Sequence, residues 1–283
     1  MVTTVDDFTA LARLLSALSP WLEQLVIVGG WAHRLHRLHP LATNKLDYEP
    51  LRTRDADVAL SVHAPLIGDI GAALQTAGFQ RELRGEHTPP VTHYRLGDED
   101  QGFYAEFLVP LQGSGYRRGG GVDATVTKAG ITAQKLRHLE LLLVGPWTVR
   151  VGPDVGVPVG KSLDVRVPNP VSFLAQKLLI QKHRPTSKQA QDALYIHDTL
   201  ELFGRELERL RAIWLDEVRP SLRPRTAREV ERLRHDRFAG VSDVIREAAR
   251  LPQDRTLRPE WVQAACASGL EEIFAESPEP GMG

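Results

Sequence analysis

One cysteine, Cys266, is present in 283 residues. A lone thiol makes no intramolecular disulfide and no thiolate cage. The fold must therefore rest on its apolar core, and any metal site must use carboxylates and histidines. Long hydrophobic runs are missing too, none approaching the ~18 residues that a membrane-spanning helix needs. The N-terminal stretch carries Asp6 and Asp7 where a secretory leader would be basic, so the reading is of a soluble, cytoplasmic protein with no membrane association. Charge of one sign is also lacking. Lys+Arg number 35 against 36 Asp+Glu, net -1, and residues 1–168 alone hold 17 basic against 18 acidic side chains. That balance excludes a broad nucleic-acid surface and leaves room only for local polyanion sites. At 42% hydrophobic, the chain does have enough apolar material for one large or two ordinary domains.

Patterning divides the chain near residue 168. The spacing predicts an amphipathic helix over Val5 to Gln24, a strand at Leu25 to Val28, a Gly29-Gly30 turn and a helix from Trp31 to Leu38. Asp55 to Val62 alternates with the period of a half-buried strand. A helix over Pro65 to Gly78, strands at Thr92 to Leu96 and Phe103 to Val109, and an irregular glycine-rich stretch from Gly113 to Gly121 follow. Further strands are expected near Val122 to Thr127, Trp147 to Val151 and Leu163 to Val167, around a helix from Gln134 to Leu143. After Pro168-Asn169-Pro170 no alternating segment recurs. Helical periodicity covers Val171–Lys182, Ser187–Phe203, Arg205–Val218, Thr226–Arg234, Val241–Arg250 and Pro259–Phe274. The tail Ser277 to Gly283 reads as frayed. The expectation is an α+β protein: a mixed β-sheet core flanked by helices in residues 1–168, then an all-helical domain in 169–283 that closes the active-site cleft.

Asp55 and Asp57, two apart on a strand, point to the same face. Two like charges stay ionised there cheaply only around a cation, which suits a hard divalent ion such as Mg²⁺. Glu106 is the only acid of the apolar strand Phe103–Val109 and is the candidate third ligand. Gly29 and Gly30, opening a helix, let backbone N–H groups approach a phosphate. Lys177, Lys182, Arg184 and Lys188 supply four cations and no acid between 177 and 188. Other charged or aromatic features have plainer readings. Arg117 and Arg118 form an exposed loop or a phosphate grip. Arg219 to Arg237, with seven arginines against three acids, is mostly helix-surface ion pairing. His33, His36 and His39 are taken as a polar helix surface, Trp31 as core rather than a base-stacking platform, and Cys266 as inert packing. Asp98-Glu99-Asp100 is either an attraction for a cationic small molecule or a surface loop.

In this order, the glycine pair, Asp55-Ala56-Asp57 and Glu106 resemble the nucleotidyltransferase superfamily of DNA polymerase β-like fold. Val28-Gly29-Gly30-Trp31-Ala32 is similar to the corresponding motif of the lincosamide and AbiEii-type nucleotidyltransferases. A group of uncharacterised bacterial nucleotidyltransferases shares more of the chain, roughly residues 25–203. The shared features are Thr53-Arg54-Asp55-Ala56-Asp57, Glu106-Phe107-Leu108-Val109-Pro110-Leu111, Pro168-Asn169-Pro170, Phe173-Leu174-Ala175-Gln176-Lys177-Leu178, Arg184, Lys188 and Asp192. Two departures stand out: 24 residues separate Gly30 from Asp55, so Thr43 to Arg52 must loop out or extend the helix, and the third acid is Glu rather than Asp. The resemblance implies transfer of an NMP from an NTP, ATP among them, to an acceptor hydroxyl. Asp55, Asp57 and Glu106 would act as catalytic ligands of two Mg²⁺ ions (Mn²⁺ as a substitute). Gly29, Gly30, Lys177, Arg184 and Lys188 would bind the nucleotide, with Asp192 orienting one of the cations. It also implies an acceptor such as the tRNA 3′ end or another RNA, in a toxin-antitoxin or defence setting with a cognate antitoxin. The alternatives are an antibiotic-type small-molecule nucleotidyltransferase and a catalytically silent nucleotide-binding or interaction module.

Overall fold

The computed structural model describes residues 6–42, 46–98, 102–116 and 119–275. They form two compact units, one of residues 1–39 with 50–168 and the other of 40–49 with 169–283. The first unit opens with α1 (Asp7–Ala17), whose Asp6 side chain accepts from the Thr9 N–H and whose Ala10, Leu11, Ala12, Leu14 and Leu15 face is buried. Next come β1 (Leu25–Val28), α2 (Gly29–His36), β2 (Asp55–Leu60), α3 (Ile70–Thr76), β3 (Gln80–Arg84), β4 (Val91–Leu96), β5 (Phe103–Pro110), β6 (Thr125–Lys128), β7 (Ile131–Leu136) and the hairpin of β8 (Trp147–Val151) with β9 (Leu163–Val167). The main sheet runs β1-β2-β5-β4-β3, with β7 pairing the end of β5 and β6 pairing β7. Its β2–β5 and β5–β7 pairs are parallel and the others antiparallel.

The two faces of this sheet differ. On one, Ile27, Trp31, Ala56, Val58, Ala105, Phe107 and Tyr94 join the main core with α1 and α3. On the other, Val26, Val28, Ala59 and Leu108 meet Leu139 and Leu142 in a smaller apolar cluster. Strand alternation makes this second face the continuation of the row that carries Asp55, Asp57 and Glu106.

Several expectations are corrected here. Gln134 to Leu143 is not a helix: β7 takes Ile131–Leu136 and a 3₁₀ turn takes Glu140–Leu143, because the apolar residues are shared between a buried strand and the cover of the small cluster. The helix after β2 starts at Ile70 rather than Pro65, since Gly68 has φ +96° and Asp69 caps the helix by accepting from the Ala72 N–H at 2.8 Å. The edge strand β3, with sequence QRELR, escapes pattern reading because an edge strand carries charge on both faces. Nor are His33 and His36 on a polar helix surface; both are buried, and the His36 ring nitrogen Nε2 lies 2.8 Å from the Pro168 carbonyl oxygen.

Among the described residues after 168 no strand occurs. The second unit comprises α4 (Pro170–Ile180), α5 (Thr186–Leu202), α6 (Leu207–Ile213) running into a π-helical turn at Trp214–Val218, α7 (Arg219–Ser221), α8 (Pro224–Asp236), α9 (Asp243–Arg250) and α10 (Pro259–Phe274). Pro168-Asn169-Pro170 is an N-terminal device: Pro170 presets the first turn of α4, and the buried Asn169 side chain accepts from the Ser172 N–H. The segment 40–49 belongs to this unit. The Tyr48 hydroxyl donates to Glu201 at 2.6 Å, the Arg255 guanidinium lies 3.3 Å from the Tyr48 ring centroid, and the Glu49 N–H donates to Asp254. Cys266 is fully buried, and burial pushes its thiol pKa up, in keeping with inert packing. Arg117, Arg118, Glu99, Asp100 and the tail from Glu276 lie outside the described residues.

Candidate active site

β1 and β2 pair so that Val28 stands opposite Asp57, and β2 and β5 pair so that Asp57 stands opposite Glu106 and Asp55 opposite Tyr104. Asp55, Asp57 and Glu106 therefore share one face at the point where the strand ends leave the small apolar cluster. Their neighbours Ala56, Val58, Ala105 and Phe107 are buried on the opposite face. β1 passes directly into α2 through Gly29, which has φ +65°. A Cβ built there would lie 2.2 Å from the Asp57 carboxylate oxygen, so both the backbone and the proximity of Asp57 require glycine. No side chain caps α2.

The electrostatics of this face are dominated by Glu106. Burial, then the charges of Asp57 and Asp55, push its carboxyl up to about 7. A carboxyl held this far above its ordinary range by burial and by like charges is the condition that a bound cation relieves. With three oxygen-donor side chains converging, the chemistry of the residues fits a divalent ion.

Further side chains share the face, His93, Arg84, Glu82, Arg95 and Tyr104 among them, and the sequence alone does not single them out. His93, the β4 register partner of Glu106, has its Nδ1 3.5 Å from a Glu106 oxygen, and burial followed by the nearby Arg84 lowers its pKa. The Arg84 guanidinium lies 5.1 Å from the Tyr104 ring centroid and donates to Glu82 at 2.9 Å, while Arg95 holds the other Glu82 oxygen. The signal for His93 was present in the parity of Val-Thr-His-Tyr-Arg-Leu. Without a known register it named no partner.

Of the cations expected to meet nucleotide, Lys177 and Arg184 converge on Asp192, which is only 1% exposed. Lys177 Nζ donates to Asp192 at 2.7 Å, and Arg184 donates to both its oxygens at 2.9 and 2.8 Å. Lys177 also lies within 5.3 Å of the Phe173 and 5.0 Å of the Tyr195 ring centroids. Lys188, one turn before Asp192 on α5, is exposed and makes no ion pair among the described residues. Trp31 is fully buried between Phe8 and Phe103, as expected of core. A second ligand-type group, His197, Asp198 and Glu201, already has a resident cation: Arg255 donates to Asp198 at 2.6 Å and lies 3.6 Å from Glu201. We read that cluster as a structural anchor for residues 40–49.

Stability should report two of these environments through pH. The neutral form of Glu106 is favoured in the folded state. Its contribution is therefore fully present below about 4.5 and is lost as pH rises through about 7. Burial holds buried His36 down to about 4, so its contribution is present above 6.5 and is lost as pH falls toward 4. The two slopes oppose each other across the shared window and mask one another in the wild type. In EDTA, Glu106→Gln should gain on the wild type by about 2–3 kcal/mol between pH 5 and 8, read from urea unfolding at each pH. A constant difference would show that Glu106 does not titrate abnormally.

In the comparisons with known proteins, the family model described as "Nucleotidyltransferase" matches residues 6–218. No curated protein matches. Among solved structures, MenT4, a nucleotidyltransferase toxin from Mycobacterium tuberculosis, is similar at 13% identity and a TM-score of 0.45, covering 96% of this chain and 84% of that one. The family match takes in Gly29, Asp55, Asp57 and Glu106, and continues through Lys177, Arg184 and Asp192. By that match, which spans most of its length, the chain belongs to the nucleotidyltransferase family.

Proposed function

We propose that this protein transfers an NMP from an NTP to an acceptor hydroxyl at the face carrying Asp55, Asp57 and Glu106. The observation that supports this most is the register that puts the three carboxylates on one face beside the Gly29 turn, with Glu106 pushed up to about 7. Asp55, Asp57 and Glu106 would hold two Mg²⁺ ions, which when bound neutralise charge on the attacking and departing oxygens. A carboxylate oxygen of Glu106 takes the proton of the acceptor hydroxyl. The acceptor oxygen bonds to the α-phosphorus, the bond to the β-phosphate oxygen breaks, and pyrophosphate leaves. Gly29 and Gly30 let the backbone come close to the phosphates. Lys177, Arg184 and Lys188 add positive charge for the triphosphate, with Asp192 fixing Lys177 and Arg184. The work of the protein is positioning and charge placement.

For the acceptor, the proposal is an RNA hydroxyl, with the tRNA 3′ end as the first candidate and a toxin-antitoxin setting as its context. The test is incubation with each α-labelled NTP, Mg²⁺ and total RNA. Label is expected in the tRNA band with one NTP preferred. Label on a small molecule with none in RNA would overturn the RNA acceptor in favour of a small-molecule transferase. No labelled product from any acceptor pool, together with no Mg²⁺-dependent stabilisation by NTP, would overturn the catalytic reading itself.

A further inference from the structure

The arginine-rich helix α8 pairs most of its charge. Arg219 bonds Glu231, Arg234 bonds Glu271 and the Phe274 carbonyl, and Arg232 bonds Asp236 and lies 4.0 Å from Glu229. Arg237, at the end of α8, is different. Its Nε is shut off from solvent and has no hydrogen-bond partner. Its guanidinium pKa is lowered by burial and then by the charge of Arg232. A buried cationic donor without an acceptor is costly and rare, and where it persists it calls for a ligand, ion or water.

The space beside Arg237 supplies the place. A pocket of about 370 Å³ lies in the helical unit, floored by Leu179 of α4 and Leu233 of α8. Arg237, Arg232 and Lys182 line it together with Glu229 and Asp236. The two acids are the ones Arg232 engages. Lys182 is exposed and makes no ion pair among the described residues. The donors that remain are thus the Arg237 guanidinium, with its buried Nε, and the Lys182 ammonium, in a cavity of the size that small ligands occupy. A guanidinium offering two N–H groups side by side matches the oxygens of a phosphate group, and a flexible ammonium adds charge at the rim.

We propose that this pocket is an oxyanion site that takes phosphate or pyrophosphate on Arg237, with Lys182 as a second cation. The site is separate from the acidic face and uses none of its residues.

Isothermal titration of the full chain in EDTA, with inorganic phosphate and pyrophosphate against potassium chloride of matched ionic strength, tests this. EDTA removes the divalent ions that would carry pyrophosphate to the acidic face. Saturable binding is expected, weakened at least tenfold in Arg237→Met and severalfold in Lys182→Met, and unchanged in Asp57→Asn. Should Arg237→Met not fold, Arg237→Lys, which keeps the charge but lacks the paired donors, is expected to weaken binding instead. The proposal is overturned by an absence of saturable heat, by wild-type affinity in both Arg237 and Lys182 variants, or by an equal response to chloride. An Arg237-dependent affinity for an RNA oligonucleotide without any for the free anions would likewise overturn it. Loss of binding in Asp57→Asn would trace the anion to the acidic face and overturn it as well. Because the readout needs no turnover, the outcome is independent of whether the transferase reading holds.

Discussion

Asp57→Asn is expected to lower kcat/KM for NMP transfer by about a thousandfold or more, with the fold unchanged. The substitution keeps the side chain's shape against Gly29 and removes its charge. Asp57 is the centre of the site: β1 presents Val28 opposite it, β5 presents Glu106 opposite it, and Asp55 stands two residues away on the same face. On the proposed reading, in which Asp57 would hold a cation that stabilises the transition state by several kcal/mol, losing that ligand is worth about three orders of magnitude in rate. A second effect accompanies the first. Asp57 is the larger of the two charges that raise the Glu106 pKa, so the variant should bring Glu106 down from about 7, with burial still holding it above the ordinary carboxylate range. Rates of pyrophosphate release over pH 5–8, measured beside NTP-dependent thermal stabilisation with and without Mg²⁺, check both. Activity within tenfold of the wild type would remove Asp57 from the machinery.

Asp192→Ala should have the largest effect on stability, about 3–5 kcal/mol in urea unfolding followed by a helical signal. Asp192 is 1% exposed and answers two cations, one of which, Lys177, is itself only 7% exposed in its side chain. Removing the carboxylate strands the ammonium between Phe173 and Tyr195, where cation–π attraction does not replace a lost ion pair. Lys177→Met together with Asp192→Leu should recover most of the loss, since a buried pair replaced by apolar groups of similar volume is often neutral. If the single variant cost less than 1 kcal/mol, water would be reaching Lys177 and the trio would be a surface feature.

Much of the site was legible because it depends on short-range rules. Strand alternation alone puts Asp55 and Asp57 together, and a glycine pair between an apolar run and a helical pattern marks a sharp turn. Register is another matter. Nothing local says that Glu106 rather than Tyr104 lies opposite Asp57, or that His93 lies on its far side, because these pairings are set by the assembled sheet. The helix expected at 134–143 fails for the same reason: Leu136, at the end of β7, and Leu139, Leu142 and Leu143, in and before the 3₁₀ turn, cover one small apolar cluster, and their spacing imitates a helical stripe. Polar residue type does not report exposure in α2, where His33 is buried and His36 is buried beside the Pro168 carbonyl. The resemblance implies that Asp192 orients one of the cations, whereas the structure pairs it with both Lys177 and Arg184 across the turn between α4 and α5.

The pairing of Tyr48 with Glu201 and Arg255 has a consequence for how the chain is connected. The polypeptide passes from one unit to the other after residue 39, returns after 49 and leaves again after 168, so three covalent links join the units instead of one. No single proteolytic cut separates them. A fragment ending at 168 keeps Tyr48 and Glu49 while losing Glu201, Asp254 and Arg255, and residues 40–49, which lead into the strand of Asp55 and Asp57, are then left without their anchor.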